Sequence, residues 1–101
     1  MFEIGSGEDG VVALSGRFDA AQVDKARKFL DGNDTPKVFD FRALEYISSA
    51  GLGVLLSTHK KLVAGGGRLR LVNVSKNIYD VFRFSGFDQV FDVVRAGEPG
   101  A

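Results

Sequence analysis

The chain has no cysteine and no tryptophan, one histidine, one methionine and two prolines. Without cysteine there are no disulfides, no thiolate nucleophile and no thiolate-bound metal. A single histidine makes a histidine-based zinc site a poor expectation, so no metal and no cofactor is expected. An excess of charge of either sign is missing too: thirteen Lys and Arg balance thirteen Asp and Glu. Sequence-independent binding of nucleic acid, and polybasic contact with a membrane, both need clustered cations. Neither nucleic acid nor membrane is expected as a partner. The longest mainly apolar stretch, Gly51 to Leu56, is far too short to cross a bilayer. Met1-Phe2-Glu3-Ile4 lacks the basic start and apolar run of a secretory signal, so a cytoplasmic location is the default expectation.

What is present suits one globular domain. The chain has 101 residues, 45% hydrophobic and 26% charged. We assign residues 1–96 to that domain and 97–101 to a flexible tail, because Gly97-Glu98-Pro99-Gly100-Ala101 offers nothing to a core.

The order of elements follows from periodicity and turn residues. Residues 2–4 form a short edge strand, and Ser6 to Gly10 reads as a hairpin turn because Asp-Gly tolerates positive φ. Val11 to Leu14 is an apolar run suited to a strand buried on both faces. Val23, Ala26, Arg27 and Leu30 make a helical stripe over Ala20 to Leu30, with Asp19 and Gln22 in the form of a capping box. The turn Gly32-Asn33-Asp34-Thr35-Pro36 ends that helix. Lys37 to Phe41 reads as a second buried strand, followed by a loop. Ser49 to Ala64 is the strongest helix, with Leu52, Leu55, Leu56, His59, Leu62 and Val63 at the 3.6 period and three glycines at its end. Leu69 to Val74 is a strand. Ile78, Val81 and Phe82 share one face of a third helix closed by Gly86, and Val90 to Val94 is the last strand. The order β-β-α-β-α-β-α-β predicts an α/β domain, with a mostly parallel sheet, right-handed crossovers and one antiparallel edge strand.

The informative segment is Tyr46-Ile47-Ser48-Ser49-Ala50-Gly51-Leu52-Gly53, which joins a strand to the N-terminus of the best helix. Free N–H groups and the helix dipole favour an anion there. A serine at such a place is either a cap or a phosphate carrier. Two glycines in the first helical turn cost about 1 kcal/mol each relative to alanine. Either close packing on a strand offsets that cost, or a partner's backbone approaches the turn.

Catalytic constellations are not evident. There is no GxxxxGK[ST] phosphate loop and no GxSxG around Ser49. The one histidine, His59, falls roughly 15 Å along the helix from Ser49 and within the apolar stripe, which suits a residue at the edge of the core. Asp19 and Asp40 are each expected near the C-terminal end of a parallel strand, where ligands of open α/β sheets bind. Asp19 has a ready role as a helix cap, and Asp40 as an acceptor for neighbouring backbone. No residue is assigned as catalytic, and the chain is not expected to be an enzyme.

Gly16-Arg17-Phe18-Asp19, Val38-Phe39-Asp40-Phe41 and Ile47 through Leu56 together resemble a STAS domain, of the type found in bacterial anti-sigma factor antagonists. Leu71-Val72-Asn73-Val74 and Phe84-Ser85-Gly86-Phe87 through Phe91 are similar to the same family in spacing. The resemblance implies phosphorylation of Ser49, the serine two residues before the first glycine of Gly51-Leu52-Gly53. It places Asp19, Ser48 and Gly51 around the phosphorylated serine; the position of Ser48 is often aspartate in the family. Phe18, Leu52 and Gly53 are the expected partner contacts. The implied function is a partner switch. The unphosphorylated domain binds an anti-sigma factor that is itself a serine kinase and so releases a sigma factor; phosphorylation breaks the complex, and a serine phosphatase resets it. Two other functions fit the same residues: a docking subunit of a stress-signalling or transport assembly, and a sensor of a small anionic ligand at the Ser49 turn.

Overall fold

The computed structural model describes residues 1–32 and 35–98. Asn33 and Asp34 of the turn after the first helix, and residues 99–101 of the expected tail, lie outside the described residues. Strands β1 (Phe2–Ser6), β2 (Val11–Phe18), β3 (Val38–Ile47), β4 (Arg70–Val74) and β5 (Asp92–Arg95) form one sheet in the order β1-β2-β3-β4-β5. The pair β1–β2 is antiparallel and the other pairs are parallel, as expected. Helices α1 (Val23–Asp31), α2 (Ser49–Ala64) and α3 (Lys76–Ser85) connect the parallel strands.

Because the strand order is sequential, right-handed crossovers place every helix on the same face. The sheet is therefore covered on one side only, which corrects the expectation of strands buried on both faces. Along β2, Val12, Leu14 and Phe18 are buried while Ala13 and Arg17 are exposed. Phenylalanines fill the inner face: Phe2 stacks on Phe18 within the sheet at 4.7 Å, Phe41 stacks on Phe82 of α3 at 6.1 Å, and Phe82 meets Phe91 edge-on at 6.0 Å.

Strand β3 runs through Ile47, where a loop after Phe41 was expected. The reason is two β-bulges. Arg42 and Glu45 are extra residues opposite β2, so the register passes from Ala13↔Asp40 to Ser15↔Ala43, and from Gly16↔Leu44 to Arg17↔Tyr46. The buried positions thus fall at Phe39, Phe41, Leu44 and Ile47, a spacing that no regular strand produces. Asp40 is consequently the third residue of a ten-residue strand, near its N-terminal end and not its C-terminal one.

Other boundaries shift in small ways. The first helix opens with a 3₁₀ turn at Ala20–Gln22, and residues 87–89 form another before β5, so Val90 and Phe91 precede the last strand. The hairpin turn uses Asp9 (φ 57°) and Gly10 (φ 75°) in the left-handed region. Arg95 donates from both its backbone N–H and its Nε to Glu98 Oε1 at 2.9 Å, which ties Glu98 back to the end of β5.

Candidate functional site

Strands β2 and β3 end side by side. The pairs Arg17↔Tyr46 and Phe18↔Ile47 continue into a hydrogen bond from the Ser48 N–H to the Phe18 carbonyl at 2.9 Å. Asp19 and Ser48 are thus the first residues past the sheet on two adjacent chain segments. Each serves as a cap. Asp19 Oδ1 accepts from the Ala21 N–H at 3.1 Å, and Ser48 Oγ accepts from the Gly51 N–H at 3.2 Å.

The two serines differ in position. Ser48 is the N-cap of α2, half-buried, with extended backbone, and its hydroxyl is engaged by the Gly51 N–H. Ser49 is the first helical residue and is exposed. At that position the N–H groups of the first turn have no intrahelical acceptors, and the helix dipole is positive.

The two glycines also differ. A methyl group on Gly51 would lie 2.9 Å from Ile47 Cγ1 and 3.1 Å from both Phe18 Cγ and the Phe18 carbonyl. Gly51 therefore lets α2 sit directly on the ends of β2 and β3. At Gly53, among the described residues, nothing beyond the adjacent helix backbone lies within 4 Å of an added Cβ. No packing within the domain accounts for that glycine.

Two of the three expected partner contacts are buried within the domain itself. Phe18 is fully buried, stacked on Phe2, and Leu52 is buried at 6% exposure. Both are spent in the domain's own core, because a chain of this size needs its large apolar side chains inside. Of the three, only Gly53 reaches the surface.

Residues singled out for other chemistry have structural partners. His59 Nδ1 accepts from the Leu69 N–H at 3.2 Å, and its ring meets Phe91 edge-on at 5.4 Å. It holds the end of the α2–β4 loop, at the edge of the core where its place in the helical stripe put it. Asp40 Oδ1 accepts from the Arg42 N–H at 2.9 Å and from Asn73 Nδ2 at 3.0 Å. Asn73 has φ 56°, and β3–β4 pairing ends at Asp40↔Val72, so this contact closes the point where the two strands diverge. Among the described residues no group of three or more His, Asp or Glu is placed to hold a metal ion, and no helix is long and apolar enough to cross a membrane.

Two concavities lie elsewhere. One of about 450 Å³ is on the open sheet face, bordered by Ile4, Ala13, Asp40 and Arg42; one of about 400 Å³ is at the opposite end, beside Asp9, Pro36 and Lys37. The Ser49 turn lines neither.

One pair near the turn escaped the sequence reading. The Arg17 guanidinium stacks 4.3 Å from the centre of the Tyr46 ring, on the uncovered face of the sheet. Arg17 stood within a recognised motif and Tyr46 directly before Ile47, but their pairing depends on the Glu45 bulge, which no local pattern announces.

The fold has known counterparts. The model of the STAS domain matches residues 4–98. A Bordetella bronchiseptica protein assigned as the anti-sigma factor antagonist BtrV is 39% identical over 82 residues, 81% of this chain and 65% of that protein's length. The anti-sigma F factor antagonist of Lysinibacillus sphaericus is 30% identical over 91 residues, covering 85% of this chain and 78% of that protein. Among solved structures, Bacillus SpoIIAA in its phosphorylated form superposes with a TM-score of 0.64 at 26% identity, over 92% of this chain and 90% of that one. The chain spans just under two thirds of BtrV. With the sheet order, the helix at the serine turn and these matches in agreement, the chain belongs to the STAS domain family, alongside anti-sigma factor antagonists.

Proposed function

We propose that this domain is a non-enzymatic, cytoplasmic partner switch: it binds an anti-sigma factor with serine-kinase activity at the N-terminal turn of α2, and phosphorylation of Ser49 by that kinase ends the complex. The observation that carries this function is the division of work between the two serines. Ser48 uses its hydroxyl as the cap of α2, which leaves the Ser49 hydroxyl exposed at the first helical position.

Phosphate adds about −1.5 to −2 charges and strong acceptor oxygens. At the first turn of a helix the dipole and the free N–H groups favour that charge, so the domain stays folded. The effect falls on the partner, whose surface must desolvate the new charge. ATP and magnesium are supplied by the kinase, and this chain offers only the acceptor hydroxyl. A serine phosphatase restores the binding form. Gly53, with open space around its Cα, is where the partner's backbone can come closest.

The test is a phosphorylation assay with the anti-sigma factor from the same cell and ATP, read by mass spectrometry. One phosphate per chain is expected, abolished by Ser49→Ala and at most slowed by Ser48→Ala. Phosphate retained in Ser49→Ala overturns the assignment of Ser49. A chain that neither binds the kinase nor accepts phosphate overturns the switch itself and favours a docking subunit in a larger assembly.

A further inference from the structure

We propose that Arg17 and Tyr46 form the anchor of the partner interface on the open face of the sheet, and that the partner presents a carboxylate to Arg17. This rests on the partner switch proposed above and extends its contact zone from the Ser49 turn onto the sheet.

Tyr46 is 39% exposed, and Arg17 is exposed beside it. Among the described residues the other exposed large apolar side chains are Met1, Val63 and Phe84. Val63 and Phe84 belong to helices on the covered side, whereas Tyr46 stands three residues before Ser49. Its outward aim is built by the Glu45 bulge. Without that extra residue Arg17 would oppose Glu45, and Tyr46 would oppose Phe18 on the buried face. The bulge turns Ile47 into the core and the tyrosine ring out to solvent. Bulges beside functional sites re-aim side chains in this way.

The stacked guanidinium is suited to binding. Contact with the ring at 4.3 Å holds the long side chain in one place, so less rotamer freedom is lost when a partner arrives. The guanidinium carbon lies over the ring, and the N–H fork of an arginine matches a planar, bidentate acceptor, which a carboxylate provides. No ion pair joins Arg17 to another described residue. Tyrosine and arginine are also the residue types that most often dominate interface energetics. The phosphate of Ser49 is the other anion in reach of this end of the molecule. Ser49, however, opens α2 on the covered face, whereas Arg17 projects from the opposite one, so the partner's own carboxylate is the better match.

The test is a calorimetric titration of the full chain with the anti-sigma factor identified by its phosphorylation of Ser49, using a non-hydrolysable ATP analogue. Arg17→Ala and Tyr46→Ala are each expected to weaken binding at least tenfold, and Arg17→Glu at least a hundredfold. Tyr46→Phe, which keeps the ring face, should stay within threefold. Arg83→Ala is the matched control, since Arg83 lies 5.5 Å from the centre of the exposed Phe84 ring on α3. It should leave affinity unchanged. Melting temperatures read in parallel separate lost binding from lost fold, and Arg17→Gln replaces any variant that does not fold. Added salt should weaken the wild type more than Arg17→Ala. Affinity of Arg17→Ala or Arg17→Gln within tenfold of the wild type overturns the proposal. So does tight binding combined with altered dephosphorylation, which would assign Arg17 to the phosphoserine. If the wild type itself neither binds nor is phosphorylated, the partner switch has failed, and not this anchor alone.

Discussion

Gly51 and Gly53 stand two residues apart in one helical turn, and replacing each with alanine should move stability in opposite directions. Helix propensity favours alanine at both by about 1 kcal/mol. At Gly53 nothing opposes that gain, because among the described residues no atom beyond the adjacent helix backbone lies within 4 Å of the added carbon. Gly53→Ala should therefore stabilise the domain by about 1 kcal/mol, which for a domain of this size raises the melting temperature by roughly 4–8 °C. At Gly51 the new carbon sits 2.9 Å from Ile47 Cγ1 and 3.1 Å from Phe18 Cγ and from the Phe18 carbonyl. Relief requires moving Phe18, which is fully buried against Phe2, or the carbonyl that accepts the Ser48 N–H at 2.9 Å. Overpacking of this kind costs about 1–3 kcal/mol. Set against the propensity gain, Gly51→Ala should be neutral at best and destabilising by up to about 2 kcal/mol. Thermal and urea unfolding of the two variants read the signs directly. A destabilised Gly53→Ala refutes the packing argument, as does a Gly51→Ala that gains as much as Gly53→Ala. The same Gly53→Ala protein bears on function. If the glycine is kept for a partner's close approach, the more stable variant should bind the proposed anti-sigma factor partner more weakly; undiminished binding would remove Gly53 from the interface.

Four further outcomes are expected. Ser48→Ala removes a cap and should cost about 1 kcal/mol, while Ser49→Ala should change stability by no more than about 0.5 kcal/mol, measured by urea unfolding. His59→Phe keeps the ring contact with Phe91 but strands the Leu69 N–H, a loss of roughly 1–3 kcal/mol that faster amide exchange at Leu69 would reveal. Asn73→Ala puts a side chain poorly suited to φ 56° at the divergence of β3 and β4 and removes the bond to Asp40; it should cost about 1–2 kcal/mol in thermal unfolding, and Asn73→Gly less. Hydrogen bonding to Arg95 holds the Glu98 carboxyl below the ordinary carboxylate range. The Arg95–Glu98 clasp is thus complete above that range and opens only as pH falls through the lowered value, which an NMR titration of Glu98 with an Arg95→Ala control would follow.

The register of elements and the position of the serine turn were legible because they depend on local patterns. Gly32, Gly65 and Gly86 mark helix ends; Asp19 and the Ser48-Ser49 pair mark starts; the stripe from Leu52 to Leu62 is periodic. The second half of β3 was not legible. Two bulges stretch its buried positions from every second residue to every third, so Arg42 to Ile47 matches no strand template. Nor could composition separate Phe18 from Tyr46. Both are aromatic and both border the turn, yet one is fully buried and the other 39% exposed. The difference is parity across a bulge, which only strand pairing defines.

The amino-acid sequence by itself determined the order of elements, the mixed sheet and the presence of a capped helix with two serines at its start. Each of these follows from interactions between residues close in the chain. Only the tertiary structure decided that the sheet is bare on one face, that Ser48 caps while Ser49 is exposed, and that Gly51 is packed while Gly53 is open. It alone brought Arg17 onto Tyr46. The packing of Gly51 on Phe18 and the Arg17–Tyr46 contact join segments some thirty residues apart, where a single extra residue in β3 reverses which side chains face water.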